Sequence, residues 1–164
     1  MNEIVLVYRQ FQHPTLLGLL EEKYVVKRLW EVSDKNKFIE NHCLNVRAMV
    51  TDHLGASEKL IKLFPQLKII SNFGVGFDSV DVDYATQKGI QVTNTPDVLT
   101  DDVADLAIAL LVSVARSIPE GDHFVREGIW KERIMRFTKS LSGKKIGILG
   151  MGRIGQAIAR RAEA

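Results

Sequence analysis

The 164-residue sequence has almost no cysteine and no pattern typical of a metal site. Cys43 is the only cysteine, so an internal disulfide is impossible, and we expect this residue to be reduced and packed. The four histidines, His13, His42, His53 and His123, show no H-x-x-x-H pairing. We therefore expect no metal site.

Long apolar runs, targeting segments and excess charge are also lacking. The most apolar stretch, Leu106 to Ala115, is far too short to span a bilayer. Met1-Asn2-Glu3 lacks the basic region of a signal peptide, which makes the cytoplasm the expected compartment. The 22 basic and 20 acidic residues give a net charge of +2, which indicates no nucleic-acid partner. No G-x-S-x-G nucleophile signature is found.

Short apolar runs alternate with helical patterns through the first hundred residues. The runs predict strands at 4–8, 25–29, 46–50, 67–71 and 90–93, and the helical patterns lie at 14–23, 35–41, 57–64 and 82–88. Ser57 is a plausible N-cap of its helix, and Gly89 is placed to end the last one. This alternation predicts an α/β fold with a parallel sheet and helices on both faces.

A longer helix is predicted from Asp101 to Arg116. Either Thr100 or Asp101 could cap it, acids occupy its first turn, and Arg116 lies in its last turn, all of which favour the helix dipole. Pro119 is expected to end the helix. The helix is apolar on all sides, so we expect it to be buried against a second domain or a second subunit.

A glycine turn near the end of the sequence carries the clearest ligand signal. The run 146–149 predicts a buried strand, G-x-G-x-x-G follows, and residues 156–161 read as a helix. Gly150 would form the tight turn, Gly152 would admit a pyrophosphate, and Gly155 would allow close packing. The helix N-terminus would favour the phosphates. A structural turn without a ligand is the alternative.

A second glycine loop, Asn72 to Asp78, follows a predicted strand directly. Gly74 and Gly76 flank Val75 and could free the N–H groups of Val75 and Gly76 to face an anion such as a carboxylate. Ligands of open α/β sheets bind at such strand ends. The alternative is a turn without a ligand. His53, after another strand, could touch a substrate or be simply solvated.

Taken together, these motifs resemble the D-isomer-specific 2-hydroxyacid dehydrogenases from about Pro65 to the end of the sequence. The matching stretches are 73–81 (FGVGFDSVD), 89–96 (GIQVTNTP), 98–107 (VLTDDVADLA), 126–130 (REGIW) and 147–155 (GILGMGRIG). Within the family, residues 94–105 look most like the glyoxylate and hydroxypyruvate reductases, including the plant hydroxyphenylpyruvate reductases.

The resemblance implies two domains. Residues 1–98 would form a flavodoxin-like substrate domain, and residues 99–164 would begin a Rossmann domain that binds NAD(P). The helix region 101–116 would help to form a homodimer.

The resemblance also implies roles for particular residues. Val75 and Gly76, with Gly74, would present backbone N–H groups to the substrate carboxylate, and Val75 would lie near the nicotinamide as well. Thr100 would lie beside the cofactor. Arg153 and Ile154 would join the three glycines Gly150, Gly152 and Gly155 at the pyrophosphate.

The activity implied is reduction of a small 2-oxo acid by hydride transfer from NAD(P)H, with NADP favoured over NAD by analogy. The family's arginine, glutamate and histidine are expected beyond Ala164, as is the ribose-reading residue about 20 residues after the glycine turn. We therefore expect a portion of a longer protein that contains no catalytic residue and is inactive by itself. The alternatives are a phosphoglycerate dehydrogenase-like enzyme, a nucleotide-sensing corepressor-like protein of the same fold, and a free-standing flavodoxin-like module.

Overall fold

The computed structural model describes residues 3–10 and 14–163, with only the backbone at Pro14. The chain forms two compact units, Met1–Pro96 and Asp97–Ala164. Along the sequence, the boundary between the units therefore lies two residues before the predicted boundary between residues 98 and 99.

The first unit is built on five parallel strands in the order β2-β1-β3-β4-β5. The strands are β1 (Ile4–Val7), β2 (Val25–Arg28), β3 (Val46–Thr51), β4 (Ile69–Asn72) and β5 (Gln91–Thr93). This is the strand order of flavodoxin-like sheets. The predicted α/β fold with a flavodoxin-like parallel sheet is confirmed.

Four helices connect these strands. They are α1 (Pro14–Glu21), α2 (Lys35–His42), α3 (Glu58–Ile61) and α4 (Val82–Gln87), and a 3-10 turn covers Leu29–Glu31. Asp34, Ser57 and Asp81 each accept a hydrogen bond from a backbone N–H of the helix that follows. The predicted Ser57 cap is confirmed, and Gly89 follows α4 with φ +68°.

Apolar side chains pack on both faces of the sheet, as predicted. The larger cluster joins strand residues to Phe38 of α2, Ile61 of α3 and Ala85 of α4. The smaller cluster joins Val5, Val7 and Val50 to Leu17 of α1. Because successive strand residues point to opposite faces, β1 contributes Ile4 and Leu6 to one cluster and Val5 and Val7 to the other.

Helix α3 is four residues long, half the length predicted. At Leu63 and Phe64 the backbone N–H groups bond to carbonyls three positions earlier, those of Leu60 and Ile61. Pro65 follows, and a residue before proline is disfavoured in the α conformation. Phe64 is nonetheless fully buried, so its apolar side chain indicated a buried position correctly but did not indicate a helical one.

The second unit contains three helices among its described residues: α5 (Thr100–Arg116), α6 (Ile118–Arg126) and α7 (Arg153–Glu163), with a 3-10 turn at Ile129–Lys131. The predicted cap by Thr100 or Asp101 is wrong, because Leu99 is the N-cap residue and no side chain caps the helix. Ser117, in the left-handed region at φ 50°, ends α5, whereas Pro119 lies in the first turn of α6.

The predicted buried strand at 146–149 is wrong. In the described part of the second unit the backbone forms no strand, and Leu149 is fully exposed. A strand exists only where a neighbouring strand takes up its backbone hydrogen bonds, and the described residues of this unit offer none. The residues of this run thus favour a strand, but no neighbouring strand pairs with them in the described part of the unit.

Helix α5 packs along α7. Arg161 of α7 binds the carboxylates of Asp101, at 3.0 Å, and Asp105. These bonds, that to Asp105 most of all, raise the pKa of Arg161 above its usual value. Of the residues in α5, Ala104 is buried. The apolar face of α5 at Leu106, Leu110 and Val114 is exposed, at 58%, 56% and 79%. The second domain or subunit that was predicted to bury this helix therefore stays a prediction.

Candidate functional site

The carboxyl ends of the parallel strands place three loops at one edge of the first unit. The central loop, 73–78, follows β4, and it is flanked by the segment after β3 and the segment after β5. Thr51 and Asn72 end their strands side by side in register, and both are fully buried. This edge is where open α/β sheets bind ligands.

Three consecutive carbonyl groups of the central loop are held by hydrogen bonds. The Gly74 carbonyl accepts from the Thr95 backbone N–H at 2.9 Å. The Val75 carbonyl accepts from Asn94 Nδ2, and the Gly76 carbonyl from Asn72 Nδ2, both at 2.8 Å. Sequence reasoning missed both asparagines. The available signal was an amide side chain at or just after the end of each of two neighbouring strands.

The N–H groups of Val75 and Gly76 have no hydrogen-bond acceptor among the residues that the structure describes. A planar trans peptide directs its N–H opposite to its C=O. Because the carbonyls of Gly74 and Val75 are held, the N–H groups of Val75 and Gly76 point away from those donors. Gly76 is exposed and Val75 is partly so. The arrangement is suited to an anion such as a carboxylate.

The backbone at the two loop glycines is not in the left-handed region. Neither Gly74 nor Gly76 has a positive φ. An added Cβ on Gly74 would lie 3.4 Å from Asn72 Nδ2, and one on Gly76 would lie 3.7 Å from Asp78 Oδ2. The hydrogen-bonded carbonyls, and not left-handed glycines, therefore set the direction of the N–H groups.

The loop after β3 is held at its base and exposed at its tip. The buried Thr51 hydroxyl donates to the Gly55 carbonyl at 2.7 Å. Asp52 Oδ1 accepts from the Leu54 N–H at 3.0 Å. The His53 side chain is 82% exposed, and its Nδ1 lies 3.6 Å from Asp52 Oδ2. The geometry thus favours the solvated interpretation of His53.

The glycine turn of the second unit leads directly into α7. Gly150 has φ +98°, a conformation that suits the tight turn predicted for it. The helix begins at Arg153, three residues earlier than predicted. Its first-turn N–H groups therefore lie among the residues predicted to bind a pyrophosphate, at the positive end of the helix dipole.

Gly155 lies inside α7 and packs against the turn that precedes the helix. A Cβ added here would collide with the Gly150 carbonyl oxygen and would contact the Ile148 side chain at 3.5 Å. By contrast, a Cβ on Gly152 would meet nothing within 4 Å, which leaves the backbone open to a ligand. These two environments fit a dinucleotide turn, in which one glycine packs and another admits a phosphate.

The other predicted cofactor residues of the second unit lie near helix N-termini. Thr100 is the first residue of α5, and Ile154 is the second residue of α7. Arg153 Nε lies 3.0 Å from Asp97 Oδ1, and both side chains are more than half exposed. Asp97 itself has φ 71°, in the left-handed region. Nothing in the residue pattern predicted an acidic partner for Arg153.

A groove of about 790 Å³ lies over the sheet face beside α1, and its lining reaches Phe73 of the central loop and Thr95 after β5. Leu16, Leu20 and Val50 contribute to its lining, which is largely apolar. The unbonded N–H groups that could hold a carboxylate belong to the 73–78 loop. We therefore place the candidate site at those N–H groups.

The described residues show neither a metal-ligating cluster nor a membrane-spanning helix. They contain no cluster of three or more histidine, cysteine, aspartate or glutamate side chains arranged to hold a metal ion. His13 lies outside the described residues. None of the described helices is both long enough and apolar enough to cross a membrane.

Comparison with known proteins gives a consistent set of relatives. The family model described as D-isomer specific 2-hydroxyacid dehydrogenase, catalytic domain, matches residues 5–160. Glyoxylate/hydroxypyruvate reductase A of Arabidopsis thaliana and hydroxyphenylpyruvate reductase of Plectranthus scutellarioides are each 47% identical over 146 residues. Each alignment covers 88% of this chain and 47% of the relative, so the chain spans about half the length of these curated relatives.

A solved structure shows the same architecture. It is the NADPH-dependent glyoxylate/hydroxypyruvate reductase of Sinorhizobium meliloti, in complex with NADP and malonate. The two proteins share 38% identity with a TM-score of 0.86, over 99% of this chain and 50% of the other.

Proposed function

The chain belongs to the D-isomer-specific 2-hydroxyacid dehydrogenase family, and on that premise we propose that its protein is an NADPH-dependent reductase of small 2-oxo acids. Glyoxylate and hydroxypyruvate are the proposed substrates, since the relatives from Arabidopsis and Sinorhizobium are named for them. The product is the D-2-hydroxy acid, and NAD is the second candidate cofactor.

The observation that carries this proposal is the pair of N–H groups at Val75 and Gly76, for which no described residue supplies an acceptor. Both belong to peptides whose carbonyls are held by hydrogen bonds, so the donors are oriented before any ligand arrives. A carboxylate accepts such N–H bonds strongly because its oxygens are charged. We assign Gly74, Val75 and Gly76 to the carboxylate that every 2-oxo acid carries.

The glycine turn before α7 supports the assignment of a dinucleotide. We propose that the pyrophosphate of NADP is held by Gly150, Gly152, Gly155, Arg153 and Ile154. Gly150, at positive φ, forms the turn before the eleven-residue helix α7, and the N-terminus of such a helix binds phosphate. Two further residues, Thr100 and Val75, are assigned to the cofactor by the family resemblance. The bound cofactor supplies the hydride.

We propose that residues 1–164 bind but do not catalyse. Reduction of the carbonyl requires a proton donor. Among the described residues of this loop edge the only histidine is His53, which is solvent-exposed. The arginine, glutamate and histidine that the family resemblance implies have no counterparts in the matched motifs. We thus assign no catalytic residue to this chain.

We further propose a cytoplasmic homodimer. A single free cysteine suits a reducing compartment. The exposed leucine face of α5 suits a subunit contact, because contiguous exposed apolar side chains mark interaction sites.

A direct assay tests the proposed activity. Oxidation of NADPH at 340 nm, with glyoxylate or hydroxypyruvate as acceptor, should proceed in the protein that carries this chain together with the rest of the family's length. Residues 1–164 alone should give no turnover. A phosphoglycerate dehydrogenase-like enzyme would instead oxidise 3-phosphoglycerate with NAD, and a binding protein would retain the nucleotide without turnover of any acid.

A further inference from the structure

We propose that the first unit carries a binding site for a phosphate group, formed by Lys62, Lys68 and Lys88 around the ring of Tyr84. The site is a cavity of about 250 Å³ at the amino ends of β4 and β5. The 73–78 loop, by contrast, follows the carboxyl end of β4. The inference goes beyond the proposed function, which assigns no ligand to this cavity.

Three elements of the fold bring the lysines together. Lys62 directly follows α3, Lys88 directly follows α4, and Lys68 directly precedes β4. The Lys68 carbonyl accepts from the Gln91 N–H at 2.9 Å, which joins the starts of β4 and β5. The backbone of each lysine is therefore held by the sheet or by a helix end, and the cavity between them is built by the fold.

Two of the ammonium groups converge on one aromatic ring. Lys62 Nζ lies 5.4 Å and Lys88 Nζ lies 5.6 Å from the centroid of the Tyr84 ring. Tyr84 is half-buried and packs against the larger core cluster, so the position of the ring is fixed. A cation is attracted to the face of such a ring. The ring thus holds both charges at the cavity although they repel each other.

The positive charge of the cavity is not balanced by its own lining. The described residues that line it include no acidic side chain. Of the three lysines, Lys62 alone has a carboxylate partner among the described residues, Glu58 at 2.6 Å. The charges of the other two lysines remain uncompensated. A phosphate dianion would balance them, and lysine is a common binder of phosphate.

The helix ends do not need these lysines for their own hydrogen bonding. Lysines at helix C-termini are often explained by carbonyl groups that lack a partner. Here the Leu60 and Ile61 carbonyls at the end of α3 accept from backbone N–H groups, as do the Ala85 and Thr86 carbonyls at the end of α4. Unpaired carbonyl groups therefore do not account for the lysine cluster.

The size and lining of the cavity favour a compact ligand. Its volume of about 250 Å³ lies below the range of about 300–1,000 Å³ in which drug-sized ligands bind, so a whole dinucleotide would not fit. Buried apolar side chains form its floor, and exposed lysines form its rim. The floor residues are Ile61, Phe64, Leu67 and Ile90. The ligand class is therefore inorganic phosphate or a small phosphate monoester.

Titration calorimetry with inorganic phosphate tests the site. The full-length protein is first saturated with NADP, so that the proposed pyrophosphate site is filled, and sodium chloride keeps the ionic strength constant. We expect saturable binding of phosphate. Lys62→Gln/Lys88→Gln should weaken it about tenfold or more, because two charge-assisted hydrogen bonds are lost. Lys62→Arg/Lys88→Arg, which keeps both charges, should retain most of the affinity.

Lys23→Gln/Lys27→Gln is the matched control, since it removes two charges from exposed lysines of the first unit that do not line the cavity. It should leave the affinity for phosphate unchanged. Equal losses in the two glutamine double variants would show a general effect of charge and overturn the inference. Phosphate binding that does not saturate at constant ionic strength would overturn it as well.

Glu58→Gln supplies a change in the opposite direction. It releases Lys62 from its ion pair and should tighten phosphate binding about two- to fivefold, the range that an exposed ion pair allows. Weaker binding in this variant would contradict the assignment of Lys62 to the ligand.

A second ligand identifies the source of the phosphate group. Glycerol 2-phosphate carries the phosphate on a short carbon chain. If it binds and Lys62→Gln/Lys88→Gln weakens that binding, the site takes a phosphorylated small molecule. If it is excluded while inorganic phosphate still binds, the site takes free phosphate. Both results support the inference, and neither depends on whether the protein reduces glyoxylate.

Discussion

At the scale of single residues, Arg153 was predicted to bind the cofactor, but in the structure its guanidinium already pairs with a carboxylate of the same unit. Its guanidinium lies 3.0 Å from the Asp97 carboxylate. An anion that approaches α7 must compete with that carboxylate for Arg153. Asp97 is therefore expected to weaken the binding of any phosphate at this helix N-terminus.

Asp97→Asn should lower the dissociation constant for NADPH about two- to fivefold, the range that an exposed ion pair allows. Asparagine tolerates the positive φ of this position, so the backbone should be preserved. Isothermal titration with NADPH measures the change. Asp102→Asn, on an exposed first-turn residue of α5, should have no effect. An affinity that falls in Asp97→Asn would mean that Asp97 assists binding.

Thr51 tests the base of the candidate site. Thr51→Val keeps the shape but removes the donor to the Gly55 carbonyl, which would leave a buried acceptor unpaired. We expect the free energy of unfolding to fall by about 1–3 kcal/mol, as measured by urea titration. In Thr86→Val the lost hydroxyl bond lies on the exposed surface of α4, so the loss should be much smaller. Equal losses in the two variants would argue against this account.

At the scale of elements, two helical glycines are predicted to respond oppositely to the same change. Gly155→Ala should disrupt the turn before α7, because the added Cβ collides with the Gly150 carbonyl. Gly18→Ala in α1 meets nothing within 4 Å and should stabilise the protein by up to about 1 kcal/mol through helix propensity.

Thermal unfolding and NADPH titration of both variants check this prediction. Gly155→Ala should melt earlier and bind NADPH at least about tenfold more weakly. Gly18→Ala should bind it normally. If Gly155→Ala were as stable as the parent, the close approach between α7 and the turn would not hold in solution.

The same scale shows why some elements could be predicted and others could not. The five strands of the first unit were predicted because each carries its own run of β-branched residues and has a neighbour to pair with. The run at 146–149 has the same composition but, in the described second unit, no neighbour. Propensity is local, whereas a strand is a relation between two segments.

At the scale of the whole molecule, the exposed face of α5 predicts self-association. Leu106, Leu110 and Val114 are spaced four residues apart, on one side of the helix, and all three are more than half exposed. Burying such side chains stabilises an interface by about 1.5–3 kcal/mol each when burial is complete. This face is where we place the subunit contact.

The double variant Leu106→Gln/Leu110→Gln should shift the protein from dimer towards monomer in sedimentation velocity. Leu44→Gln removes an equally exposed leucine from the first unit and should leave the association state unchanged. A double variant that sediments as the parent does would show that two copies associate elsewhere or do not associate.

The sequence by itself determined the alternation of strands and helices, the parallel α/β class, the family, and the two glycine segments 74–76 and 150–155. Each of these is written in local residue types and spacings, so one stretch at a time was enough to predict it. Only the tertiary structure decided that Asn72 and Asn94 hold the 73–78 loop, that Asp97 holds Arg153, and that residues 146–149 form no strand. The Asn94 hydrogen bond, the Arg153 ion pair and any strand ladder join groups that are distant in sequence, and only the folded chain brings such groups within reach. The Asn72 bond spans four residues, but it forms only in the conformation that the folded loop adopts.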